Sequence, residues 1–274
     1  MPRIAQRRWK NAARLLLGLA GLWCAVAWLD ARLARTPHLT GYAMLAALLV
    51  LAAYNVRKKL AGLPLGSSAG WLQAHVYLGL GSAVLMLLHT SGRWPDGWLE
   101  GTLAAAYWAT FASGVGGLYL TRTVPRQLAR TSEEFVYERI PRLRREVMEQ
   151  ARAAVLEGAG VGGATTLADY YCDRIDPFLA EPRGLLYAVR PSSALRREVM
   201  RELADLKRFL SEAELAASET LFAMVRKKDD LDFHEARQGL LKRWVVVHIA
   251  LTYLLLTTAA MHAWLAITMR GGPG

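Results

Sequence analysis

The chain has 274 residues, 53% of them hydrophobic, and a formal net charge of +11. An average this apolar, broken by one long polar stretch, excludes an ordinary soluble globule and indicates an integral membrane protein with a polar insert. That stretch, residues 121–242, holds 21 Lys and Arg against 20 Asp and Glu, so the excess charge lies elsewhere and the insert has no nucleic-acid footprint.

Taken in chain order, the first predicted element is an apolar run over residues 12–29 behind a basic N-terminus. Its small residues form no evident cleavage site, so it is expected to be a retained membrane helix rather than a signal peptide. Further spans are expected at residues 41–56, which is short, at 71–89, at 102–120 and at 244–269, each about the 17 to 25 residues that cross a bilayer. The third span carries His75 and His89. The fourth is rich in small residues from Ala104 to Gly117. The polar segment that follows has apolar residues at helical spacing in Phe135, Ile140, Leu143 and Val147, and again in Leu203, Leu206, Leu210 and Leu215. Pro125, Pro141, Pro177, Pro182 and Pro191 punctuate it, which predicts a small helical domain. The fifth span carries His248 and His262.

Basic residues set the orientation. Arg3, Arg7, Arg8, Lys10 and Arg14 precede the first span, and Arg57, Lys58 and Lys59 follow the second. The other connections carry only Arg32 and Arg35, Arg93, and Arg270. The excess marks the cytoplasmic side, which predicts a cytoplasmic N-terminus and a cytoplasmic insert. Spans three and five then run in the same direction, so His75 shares a depth with His248 near the inner face and His89 with His262 near the outer face.

Four of the six histidines thus occupy two spans, with a separation of 14 residues in each. In an α-helix that separation is a rise of about 21 Å at nearly the same rotation, so each pair lies on one helix face at two depths. Two such helices make two bis-histidine clamps, one above the other. Two neutral imidazoles fill the axial positions of a six-coordinate haem iron, and ionisable groups inside a membrane are functional by default. Other readings of the same residues are hydrogen bonds to neighbouring helices, a proton relay, or a zinc or copper site, although a metal cluster needs ligands closer than about 21 Å. Gly79 and Ser82 on the first histidine face would let a porphyrin edge approach the backbone. Arg93 on the outside and Arg243 on the inside, beside Lys242, are candidate partners for propionates.

His75 and His89 with His248 and His262 resemble the histidine pairs of the di-haem membrane cytochromes b, including the transmembrane part of ferric reductases and NADPH oxidases, where the pairs also occupy the third and fifth helices. The resemblance implies two non-covalent b-type haems and electron movement across the bilayer. It covers the third to fifth spans. The flavin and nicotinamide module usual in ferric reductases is not found in these 274 residues, so the resemblance implies that electrons come from a quinol or another subunit.

The remaining motifs are weaker. Residues 158–163 match the G-x-G-x-x-G template, but a charged amphipathic stretch at 144–157 precedes them where a strand is required, so a flexible loop ending a helix is expected. His234 lies 14 residues before His248. Its counterpart on the third span is Ala61, and its acidic neighbours Asp229, Asp230, Asp232 and Glu235 read as solvated, which predicts a surface or hydrogen-bonding histidine. His38 reads as an ordinary loop residue. Cys24 and Cys172 are too few for a four-cysteine cluster, and no Cys-x-x-Cys-His attaches a c-type haem.

The sequence therefore predicts an all-α membrane bundle of about five transmembrane helices. Helices one to four occupy residues 1–120, a cytoplasmic helical insert 121–242, and helix five with an outer tail 243–274. The expected ligands are His75 with His248 and His89 with His262, each pair on one haem b, with Gly79, Ser82, Arg93 and Arg243 as further cofactor contacts and a quinone as a candidate cofactor. The expected role is electron transfer as the membrane subunit of a redox complex or quinol-linked oxidoreductase, in a bacterial inner membrane. Its partners would be the lipid bilayer and a redox protein at the insert or the outer face. A haem carrier or sensor without redox turnover is the alternative, and no catalytic residue is assigned.

Overall fold

The structure is a computed structural model that describes residues 36–59, 66–129, 131, 133–162 and 165–269, with Ala13, Leu17, Gly18, Ala20 and Gly21. The span expected at 12–29 lies almost wholly outside them. Among the described residues the protein is helical and has no strand. It divides into two compact units, one of residues 1–118 and 245–274, the other Tyr119–Trp244.

In the first unit, α1 (Thr36–Lys59) and α2 (Ser68–His89) are neighbours. Helix α2 begins where the Ser67 side chain accepts the Gly70 amide at 3.2 Å, a side-chain cap on an otherwise orphaned donor. It ends immediately after His89: Ser91 and Gly92 take positive φ of 51° and 69°, and the Gly92 amide reaches back to the Leu87 carbonyl at 2.9 Å. A left-handed terminus of this kind satisfies carbonyls that the helix can no longer pair. The first part of α3 (Trp98–Leu128) and the end of α9 (Glu212–Thr268) complete the unit. Its core joins Met44, Leu48, Leu85, Met86, Ala104, Tyr107, Leu255 and Ala259.

Among the described residues three helices are long and apolar enough to cross a membrane: α1 over His38–Asn55, α2, and α9. Their apolar windows are only 22, 22 and 11% buried within the protein. Leu49, Val50, Leu72, Leu87, Val246 and Tyr253 are exposed. An apolar exterior of this extent has its favourable solvent in lipid, so the helices have the character of a membrane protein. The fourth expected span lies inside α3, whose run of Ala, Gly and Thr makes it less apolar than the other three.

The second unit has its own core. Helix α4 (Ile140–Gly162) sends Ile140, Val147, Ala151 and Val155 from one face into it. Short elements follow: α5 (Thr166–Tyr170), a wide π turn (Tyr171–Ile175), α6 (Asp176–Ala180), α7 (Leu185–Val189) and α8 (Ala194–Leu206). They add Leu167, Tyr171, Ile175, Phe178, Leu179, Val199 and Leu203 to the same core. Ala217, Leu221, Val225 and Leu231 of α9 close it.

Three features differ from the sequence reading. Residues 158–162 are helical: a side chain at Gly158 would meet the Ala217 methyl at 3.1 Å, so this glycine allows α4 to approach α9. Pro125 lies within α3, which continues to Leu128. In the last turn its missing amide costs one hydrogen bond and does not break the helix. The insert and the last span are not separate helices, because α9 runs unbroken through Trp244 for 57 residues. Its start is a capping box in which the Ser211 amide donates to Glu214 Oε2 at 3.0 Å while the Glu214 amide turns back to Ser211 Oγ at 3.4 Å.

Candidate haem site

The four intramembrane histidines sit on α2 and on the membrane part of α9. The ring centres of His89 and His262 are 6.5 Å apart, with planes 80° to each other. An imidazole nitrogen binds a first-row metal ion at about 2.0 Å, which places the centres of two imidazoles on opposite sides of one ion about 6 Å apart. The separation of the outer pair is close to that distance. His248 lies within electrostatic reach of His75 on α2.

Each histidine also has a neighbour at Nδ1. His75 Nδ1 donates to the Leu51 carbonyl at 3.1 Å, and its ring lies 5.1 Å from that of Tyr54. His89 Nδ1 shares a hydrogen bond with Thr40 Oγ1 at 3.2 Å, and His248 Nδ1 with Ser113 Oγ at 3.2 Å. His262 Nδ1 stands 3.7 Å from the Glu100 carboxylate. A partner at Nδ1 orients an imidazole ring, and a partner that takes the Nδ1 proton selects the tautomer whose lone pair is on Nε2, the usual second layer of a histidine metal ligand. Helices α1 and α3 supply these partners.

A cavity of ≈ 360 Å³ opens at the outer pair, lined by His38, Gly41, Thr90, Glu100, Tyr107 and Ala259 among others, together with His89 and His262. Its size is within the range of roughly 300 to 1,000 Å³ typical of small-molecule and cofactor pockets. The glycines that give the histidines room lie on neighbouring helices. A side chain at Gly41 would stand 3.1 Å from His89 Cε1, and one at Gly114 would stand 3.6 Å from His248 Cε1.

Gly79 instead backs onto Leu51 of α1. Ser82 is buried, donates to the Gly79 carbonyl at 2.7 Å and meets the Tyr107 hydroxyl at 2.9 Å. Both are contacts between or within helices, and neither residue lines the cavity. Arg93 is exposed in the connection after α2, and Arg243 is exposed in the second unit. Sequence reasoning overlooked Thr40, Gly41, Glu100 and Ser113. Three of them are polar residues within or beside apolar helices, where a polar group has to find a partner, and that is the signal that could have found them.

No group of three or more His, Cys, Asp or Glu side chains among the described residues is placed to hold a metal ion. A two-histidine clamp by itself offers a bare zinc ion too few ligands.

His234, in the second unit, is buried rather than solvent-facing, and so are Asp229 and Asp232, which the sequence placed in water. The Thr131 hydroxyl donates to the Leu128 carbonyl and accepts from His234 Nε2 at 2.6 Å; Gln238 Nε2 approaches Nδ1 at 3.4 Å. Both ring nitrogens are engaged in a neutral tautomer. Burial lowers the His234 pKa below its ordinary value, against the opposing pull of Asp230 and Glu134. The acidic run is neutralised within the fold. Asp232 meets Lys228 at 2.6 Å, Arg144 at 2.9 Å and Arg183 at 3.2 Å, and Asp229 meets Arg196 at 3.2 Å. Burial holds the Lys228 ammonium below its usual pKa in spite of Asp232, and holds the Asp229 carboxyl above its own in spite of Arg196 and Arg183.

Comparison with family models, with curated proteins and with solved structures gave no match.

Proposed function

We propose that this chain is a di-haem membrane cytochrome of the b type that passes electrons across the bilayer. The observation that carries the proposal is the outer pair: rings 6.5 Å apart on two helices, at a cavity that both line, with each Nδ1 facing a group on α1 or α3. At the inner positions His75 and His248 likewise have Nδ1 partners, the Leu51 carbonyl and Ser113. Haem iron, when bound, alternates between ferric and ferrous and so carries one electron at a time. His89 with His262 and His75 with His248 would hold two such groups at two depths, while Thr40, Glu100, Leu51 and Ser113 orient the rings. Two histidines at each haem would leave no open site for oxygen, which would suit electron transfer.

In this reading the chain crosses the membrane five times, with residues 12–29 and part of α3 joining the three most apolar helices, and the second unit lies in the cytoplasm. A bacterial inner membrane, a quinol as donor and a redox protein or complex subunit as partner complete the proposal.

Purified protein is expected to give two haems b per chain in a pyridine haemochrome assay. H89A and H262A should each lose one and retain the other, and H75A and H248A should lose the complementary one. Haem-replete expression that yields protein with no haem, or loss patterns that do not pair in this way, would overturn the assignment.

A further inference from the structure

The contacts at the four histidine Nδ1 atoms differ in charge. His75 meets a backbone carbonyl, His89 a threonine hydroxyl and His248 a serine hydroxyl, whereas His262 meets a carboxylate, with Glu100 Oε1 at 3.7 Å. Glu100 also lines the outer cavity. Its position is prepared by Gly97, one turn earlier: a methyl group built there would lie 2.1 Å from Glu100 Oε2 and 3.0 Å from Cδ. The carboxylate therefore lies over a backbone position that has no side chain, while its other oxygen faces His262. The same turn is secured by the Gly101 amide, which donates to the Gly97 carbonyl at 2.7 Å.

Resting on the di-haem reading, we infer that Glu100 is a positioning residue for His262 and holds the outer haem at a lower reduction potential than an uncharged partner would. A carboxylate facing an imidazole Nδ1–H fixes the ring and raises the basicity of the opposite nitrogen. A more basic axial ligand, with a negative charge behind it, favours ferric over ferrous iron, because the added electron is repelled and the positive metal centre is better neutralised. Among the described residues His75 and His248 have a carbonyl and a hydroxyl at Nδ1, so the effect is expected at the outer site. His262 and Glu100 are 30 and 45% exposed in their side chains. Solvent weakens the interaction, so the effect is modest.

The test is an anaerobic redox titration of the purified holoprotein in detergent, followed by haem absorbance, with the outer wave identified as the one missing from H262A. E100Q should raise the midpoint of that wave by about tenfold in reduction equilibrium, ~59 mV for one electron, and leave the inner wave in place. G97A moves the flexible end of Glu100 without removing its charge, and should shift the same wave in the same direction by less. Equal shifts of both waves, or none, in E100Q would overturn the role of Glu100 while leaving two haems in place. So would loss of the outer haem from both variants, which would mark Glu100 and Gly97 as structural. Parent protein with no haem would instead remove the di-haem reading on which the inference rests.

Discussion

A methyl group on Gly41 would stand 3.1 Å from His89 Cε1, inside ordinary contact, whereas one on Gly114 would stand 3.6 Å from His248 Cε1, within it. The two glycines occupy similar places beside a histidine and are predicted to differ in tolerance. G41A must displace the His89 ring by a few tenths of an ångström, which in the di-haem reading would misdirect a ligand whose geometry is narrow. Haem content measured by pyridine haemochrome should fall at the outer site in G41A and remain at two per chain in G114A. His234 gives a second prediction at this scale. Its folded pKa is below its ordinary 6.5, so between the two values the unfolded chain binds more protons, and stability must fall as the pH drops below about 6.5. Thermal unfolding of the detergent-solubilised protein at pH 5.5 and pH 7.5 should show that loss, and H234Q, which cannot titrate, should reduce it.

Helix α9 shows what a sequence reveals and what it conceals at the scale of an element. The 14-residue register of His234, His248 and His262 is legible because rotation along a helix depends only on residue number. Which histidine Thr40, Gly41, Glu100 and Ser113 meet is not, because it depends on how α1 and α3 are turned toward the histidines, and no period in the chain encodes that rotation. Asp229 and Asp232 read as solvated for a related reason: Lys228 is four residues from Asp232, but Arg144 and Arg183 reach it from 88 and 49 residues away. The continuity of α9 is hidden by a change of solvent preference near Trp244, where polar composition gives way to apolar within one hydrogen-bonded helix. The ion cluster carries a prediction. D232N leaves Lys228 and two arginines without their shared anion and should cost about 3 to 5 kcal/mol. K228M leaves Asp232 paired with both arginines and should cost less, an order that denaturant titration of the purified variants can check.

At the scale of the whole molecule the question is which side of the membrane the second unit occupies. Positive charge before the first expected span and after the second predicts that it lies in the cytoplasm. Cys172 is exposed in that unit, and the other cysteine, Cys24, lies in the first expected span. In a C24S background, a membrane-impermeant maleimide should label Cys172 in inverted vesicles and not in intact spheroplasts; the opposite pattern would reverse the topology and with it the inner and outer haem assignments. The helical class is visible in the sequence because apolar runs and amphipathic periodicity are local. The number of spans is less so, since α3 mixes small and apolar residues that suit helix packing as well as lipid.

The hydrogen bond from His75 to the Leu51 carbonyl has a consequence for inheritance. A backbone carbonyl belongs to every residue, so point mutation at position 51 leaves that acceptor in place as long as α1 keeps its course. Thr40, Ser113 and Glu100 are side-chain partners and can be lost in one step. The orientation of His75 would therefore be the hardest of the four to change by one substitution, while the other three histidines could be retuned singly without rebuilding the helices that carry them.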